Sequence, residues 1–189
     1  RYVRNHVIGG ADVGLDTISE FWTEQGEAAA TLLDGPVGEI MRLDEAKFMD
    51  RARKAPAGAS EHVLSAGPAT TADGLRTALL IDRDCNASAA LPWARQLAAV
   101  NPGVSLDMLT AGGDLPFPAS AVLWLPGDPP ALGPPASLAV RRFLLRRCET
   151  PPDQRPQAQH PDPPPPPSAP LLFRTRTPAA RPNPPEGRR

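Results

Sequence analysis

The placement of its prolines limits what this chain can fold into. Fourteen of the 26 lie beyond Glu149, and five of those form an unbroken run at 163–167. Proline fixes φ and lacks a backbone donor, so neither a helix nor a central strand runs through such a stretch. With Arg and Gln between the prolines, residues 150–189 bury too little apolar surface to offset the entropy of ordering them. That segment reads as a disordered Pro/Arg-rich tail with polyproline II character. A ligand for an SH3-type domain is its functional alternative, and a passive extension the simpler one. The part that folds is nearer 150 residues than 189.

Setting the tail aside also changes the charge. Residues 151–189 hold six Arg against Asp153, Asp162 and Glu186, so the remainder is four units acidic beside a whole-chain net of −1. A nucleic-acid binder needs a one-sided basic field, and no nucleic-acid partner is expected here. No apolar run approaches the ~18 residues of a membrane helix, so no membrane partner is expected either. No leader segment is visible, and Arg1 falls inside an apparent strand, which points to a fragment or truncated domain. Cys85 and Cys148 stand far apart without CxxC or metal-type spacing, the pattern of a reduced, cytoplasmic chain with small core cysteines. His6, His62 and His160 are too widely separated for a metal site, and no metal is expected.

Period-two alternation marks strands at Tyr2–Ile8 and Thr17–Trp22, joined by Gly9-Gly10 and an acidic turn. In the first, Tyr2, Arg4, His6 and Ile8 share a face that suits a lined cavity, while Val3, Asn5 and Val7 are apolar enough to sit under helices. In the second, Ile18, Glu20 and Trp22 share a face. A carboxylate between two large apolar side chains needs a cationic or donor partner once buried, and Arg4 or His6 on the neighbouring strand is the expected source. Helical spacing begins at Glu24, breaks at Gly35-Pro36, and resumes with Pro36 as a first helical residue. Asp44 is read as the cap of a turn that seats Phe48. Residues 51–60 read as a polar connection, and Glu61–Ser65 as a short closing strand.

The second half gives strands at Arg76–Asp82, Val104–Thr110, Ala121–Leu125 and Leu138–Cys148. A helix lies at Ala89–Val100, stopped by Asn101-Pro102-Gly103. Five prolines between Pro126 and Pro135 forbid a further helix there. Strand, Cys85, helix and strand are also loosely similar to thioredoxin-like chains, but without a second cysteine near Cys85 or the cis-proline context redox chemistry has no support.

Tyr2 and His6, Asp16, Glu20 and Trp22, then Asp44-Glu45-Ala46 and Phe48 together resemble the EthD family over about the first 65 residues. Thr17 stands where that family usually has Gly, and Thr23 where it usually has an aromatic. The resemblance implies an α+β, ferredoxin-like antiparallel sheet with helices on one face. It implies residues 1–66 as a partial repeat whose first strand and helix lie upstream of Arg1. Residues 67–75 are then a linker, and 76–149 a degenerate second repeat inferred from element order. Two such repeats would form a pseudo-dimeric α+β barrel within one chain, where the family itself pairs as homodimers.

The resemblance also implies a small organic ligand held in the barrel without a cofactor. His6 and Glu20 would be the acid/base pair of a lyase or isomerase, acting as lactone isomerases and polyketide-type cyclases or dehydratases do. Tyr2, Arg4, Ile18 and Trp22 would line the pocket. The alternatives are a non-catalytic accessory protein supporting an oxidoreductase in a degradation pathway, or an inactive fragment. Structural readings compete throughout: a histidine bonding a neighbouring strand, a Glu20–Arg4 salt bridge, and aromatics that only fill the core.

Overall fold

The computed structural model describes residues 2–10, 14–23, 35–46, 55–112, 115–130, 133–149 and 171–175. In chain order these form β1 (Tyr2–Gly10), β2 (Thr17–Thr23), α1 (Pro36–Glu45), β3 (Ala57–Val63) and β4 (Leu75–Ile81). There follow α2 (Ala90–Val100), β5 (Ser105–Ala111), β6 (Ala121–Pro126), β7 (Val140–Glu149) and β8 (Leu171–Thr175). The architecture is α+β with a mainly antiparallel sheet, as the sequence led us to expect. The strands are ordered β1-β2-β8-β3-β5-β6-β4-β7, and β7 pairs back onto β1 to close a barrel. Among the described residues every pairing is antiparallel except the two that β8 makes, with β2 and with β3.

Register decides which side chains fill the barrel, because residues directly opposite on antiparallel strands share a face. Val3 stands opposite Glu20 and Glu149, Asn5 opposite Ile18 and Arg147, and Val7 opposite Leu145. Around the ring Arg76 meets Leu145, Ala78 meets Phe143 and Trp124, Leu80 meets Val122, and Asp107 meets both Val122 and Glu61. One core cluster draws Ile18, Ala57, Ala59, Ala78, Leu80, Val122, Trp124, Phe143 and Leu145 from five strands. Only the barrel interior brings these together.

The alternate residues of β4, β5 and β6 face outward and bury Leu79, Ile81, Leu106, Ala121, Leu123 and Leu125 against α2. That helix contributes Ala90, Trp93, Ala94 and Leu97 at the spacing of one helical face. Asn86 introduces it: its side chain accepts from the Ser88 N–H and opens a short 3₁₀ turn at Ala87–Ala89. The expected stop at Asn101-Pro102-Gly103 is present. Gly103 adopts φ +75° there, with its α-carbon against the Pro68 carbonyl. No helix forms among the described residues between β6 and β7, as the prolines there require.

Strand β1 continues through Gly9 and Gly10, which read as part of a turn, and two later segments also differ from the sequence expectation. β3 begins at Ala57, inside what reads as a connection, because small residues let this strand lie close to β5. A Cβ on Gly58 would come within 2.6 Å of Thr110 Oγ1. In the tail, β8 is a strand of which the composition gives no sign. Helix α1 starts at Pro36, as its proline suggests.

Candidate functional site

The barrel interior is unequal along its axis. At the end where β2, β3 and β6 begin, Leu15, Ala55, Phe117 and Ala119 from the adjoining segments pack into the interior cluster and plug it. At the opposite end, β1, β4 and β5 begin while β2, β3, β6 and β7 finish. The inward positions there are Asn5, Glu20, Trp22, Glu61, Arg76, Asp107, Trp124, Arg147 and Glu149, by register and alternation. Side-chain exposure rises outward along this set, from 0% at Glu20 and 2% at Arg76 to 12% at Arg147 and 45% at Glu149. Trp22 and Glu61 are half-buried. Charged and aromatic side chains thus gather at this one end of the interior, the more exposed of them at the strand ends.

At its floor lies a connected polar group. Arg76 donates from Nη1 to Glu20 Oε1 at 2.8 Å and to Asn5 Oδ1 at 3.3 Å. Asn5 Nδ2 donates to the same Glu20 oxygen at 2.7 Å and to the Ile18 carbonyl at 2.9 Å. The guanidinium carbon of Arg76 lies 3.7 Å from the centroid of the Trp124 ring, a cation–π contact. Trp124 Nε1 in turn donates to Asp107 Oδ2 at 2.6 Å. All five residues are buried. Taking charges out of water is costly unless they are paired and hydrogen-bonded, and this network supplies a partner to Arg76 Nη1, Glu20 Oε1 and Asp107 Oδ2. It also joins β1 and β2 to β4, β5 and β6, across 56 residues of chain in the case of Glu20 and Arg76.

The expected pair of His6 and Glu20 is not brought together. His6 stands opposite Thr17, and Glu20 opposite Val3, so the two side chains lie on opposite faces of the sheet. The buried face of β1 is Val3 and Asn5, whereas His6 and Ile8 are exposed. The inward face of β1 is therefore the reverse of the sequence expectation. Alternation identified two faces but not which of them the barrel encloses. Burial and the Arg4 guanidinium, in that order, hold the His6 imidazole below its ordinary value. Its Nδ1 lies 3.4 Å from Thr17 Oγ1. Arg4 also sits on the face away from Glu20, which rules out the expected salt bridge between them.

Other expected positions fare differently. Ile18 is buried in the interior cluster, and Trp22 falls on the same face of β2 by alternation. Tyr2 lies in β1 and Asp44 in α1, but their side chains fall outside the described residues, as does the whole of Phe48. Sequence reasoning did not single out Asn5, Arg76, Asp107 or Trp124. Glu20 carried the one usable signal, a buried acid requiring a cation, but that cation comes from β4 and not from the adjacent strand.

Among the described residues no three His, Cys, Asp or Glu side chains gather as metal ligands. No helix among them is long and apolar enough to cross a membrane. Comparison with protein-family models, curated proteins and solved structures gives no match.

Proposed function

We propose that this chain is a ferredoxin-like α+β barrel of the EthD type that takes a small organic molecule into the charged end of its interior. Residues 1–66 and 76–149 are two repeats of one unit in this reading, and each covers the open sheet face of the other. Strand order supports it. Around the barrel the order is β1-β2-β8-β3 and then β5-β6-β4-β7, and the two runs meet at β3–β5 and β7–β1. In each junction the last strand of one half pairs with the hairpin strand at the edge of the other, as a pseudo-two-fold requires.

The observation that carries the binding role is the asymmetry of the interior. A barrel that needed only a core would be apolar throughout. This one gathers two Arg, four carboxylates and two Trp at a single end. Apolar walls with a few fixed polar groups are what an organic ligand site requires. Glu20 Oε1 already accepts from Asn5 and Arg76, and Asp107 Oδ2 from Trp124. Carboxylates committed in this way hold and orient neighbours. Binding is therefore the better-supported role, and proton transfer between His6 and Glu20 is set aside.

Calorimetric titration of a panel of lactones and aromatic polyketide-like compounds tests the reading. At least one compound is expected to bind, with affinity reduced about tenfold or more by Trp22→Ala. His6→Ala is expected to leave that affinity within about twofold, because its side chain is on the other face of the sheet. Binding that survives Trp22→Ala and disappears with His6→Ala would overturn the assignment, as would a panel with no binder.

A further inference from the structure

Strand β8 differs from its neighbours in three respects. Among the described strands it is the shortest, at five residues, and alone pairs in parallel on both sides. It is also joined to β7 by residues 150–170, ten of them proline. Parallel pairing is slightly weaker per residue than antiparallel, and a long connection adds closure entropy that the pairing must offset.

A like gap occurs elsewhere in the barrel. Strands β6 and β7 run the same way, and β4 fills the space between them antiparallel to both. There Arg76–Ile81 are all buried, with α2 covering the outward side. Strands β2 and β3 also run the same way, since both are parallel to β8. Their gap is thus shaped for one strand, and β8 occupies it in the weaker sense.

We infer that β8 is a releasable strap that closes the barrel, and that the β2–β8–β3 seam is where the barrel opens. Leu172 stands opposite Glu20 and Ala57 in register, and Arg174 opposite Trp22 and Ala59. Release of β8 therefore lays open the wall beside Glu20 and Trp22, at the charged end. Use of this opening by a ligand rests on the binding role proposed above; the opening itself does not.

Residue-resolved amide exchange on the full chain, without any ligand, tests the seam separately from binding. The amides of β2 and β3 that point across the seam are expected to exchange about tenfold or more faster than those of β4 and β6. Phe173→Pro, which removes a donor from β8, is expected to speed the same amides further and leave β4 and β6 unchanged. Seam amides as protected as those of β4 and β6 would overturn the proposal. So would a Phe173→Pro variant with unaltered exchange at the seam.

Discussion

At the scale of single residues, the sharpest consequence concerns His6. Its imidazole takes a proton less readily in the folded chain than in an ordinary setting, because burial and then Arg4 disfavour the charged form. Between the folded value and the ordinary one of about 6.5, the unfolded chain binds more protons, so stability falls as pH drops through that window. Above it the contribution is fully present. Urea unfolding at about pH 7.5 and about pH 5.5 should show His6→Gln losing less stability on acidification than the parent. An equal loss in both would show that His6 titrates as an ordinary exposed imidazole. The same strand shows how far sequence reading reaches. Arg4, His6 and Ile8 fall together outside the buried face of β1, but which face is enclosed depends on what the barrel places opposite. Asn5 is buried because Glu20 and the Ile18 carbonyl accept from it and Arg76 donates to it. No local pattern in VRNHV distinguishes such an asparagine from a solvated one.

At the scale of elements, legibility followed how completely a segment is buried. Leu79, Leu80 and Ile81 in β4 and Ala121–Leu125 in β6 are buried on both faces and read plainly as strands. Helix α2 was legible from its apolar spacing and its stop. That stop gives a prediction. Gly103 holds φ +75° with no room for a side chain beside Pro68. Gly103→Ala should therefore cost about 1–2 kcal/mol from the left-handed conformation alone, with the steric conflict added. Thermal unfolding would register this as a lower midpoint, and an unchanged midpoint would mean the turn has another conformation. Strand β3 was legible only in part, because Ala57, Gly58 and Ala59 lack β propensity and are held by packing against β5. Strand β8 was not legible: five residues in a proline-rich segment become a strand only because two edges are present to receive them.

For the whole molecule, the order of elements along the chain could be read, but their arrangement in space could not. Hairpin logic places β1 beside β2 and β5 beside β6. Nothing local places β7 on β1 or β3 on β5, yet those pairings close the barrel. The site follows from closure. Glu20 and Arg76 meet only because strands from the two halves face a common interior, so their coupling reports on the entire arrangement. A double-mutant cycle with Glu20→Gln and Arg76→Gln, followed by denaturant unfolding, measures it most directly. Each single change should cost about 3–5 kcal/mol, because it leaves the other charge buried without its partner. The double variant should cost less than the two together by about 2 kcal/mol or more. Costs that add to within about 0.5 kcal/mol would mean that the two side chains do not meet, and would contradict the barrel and the site built on it.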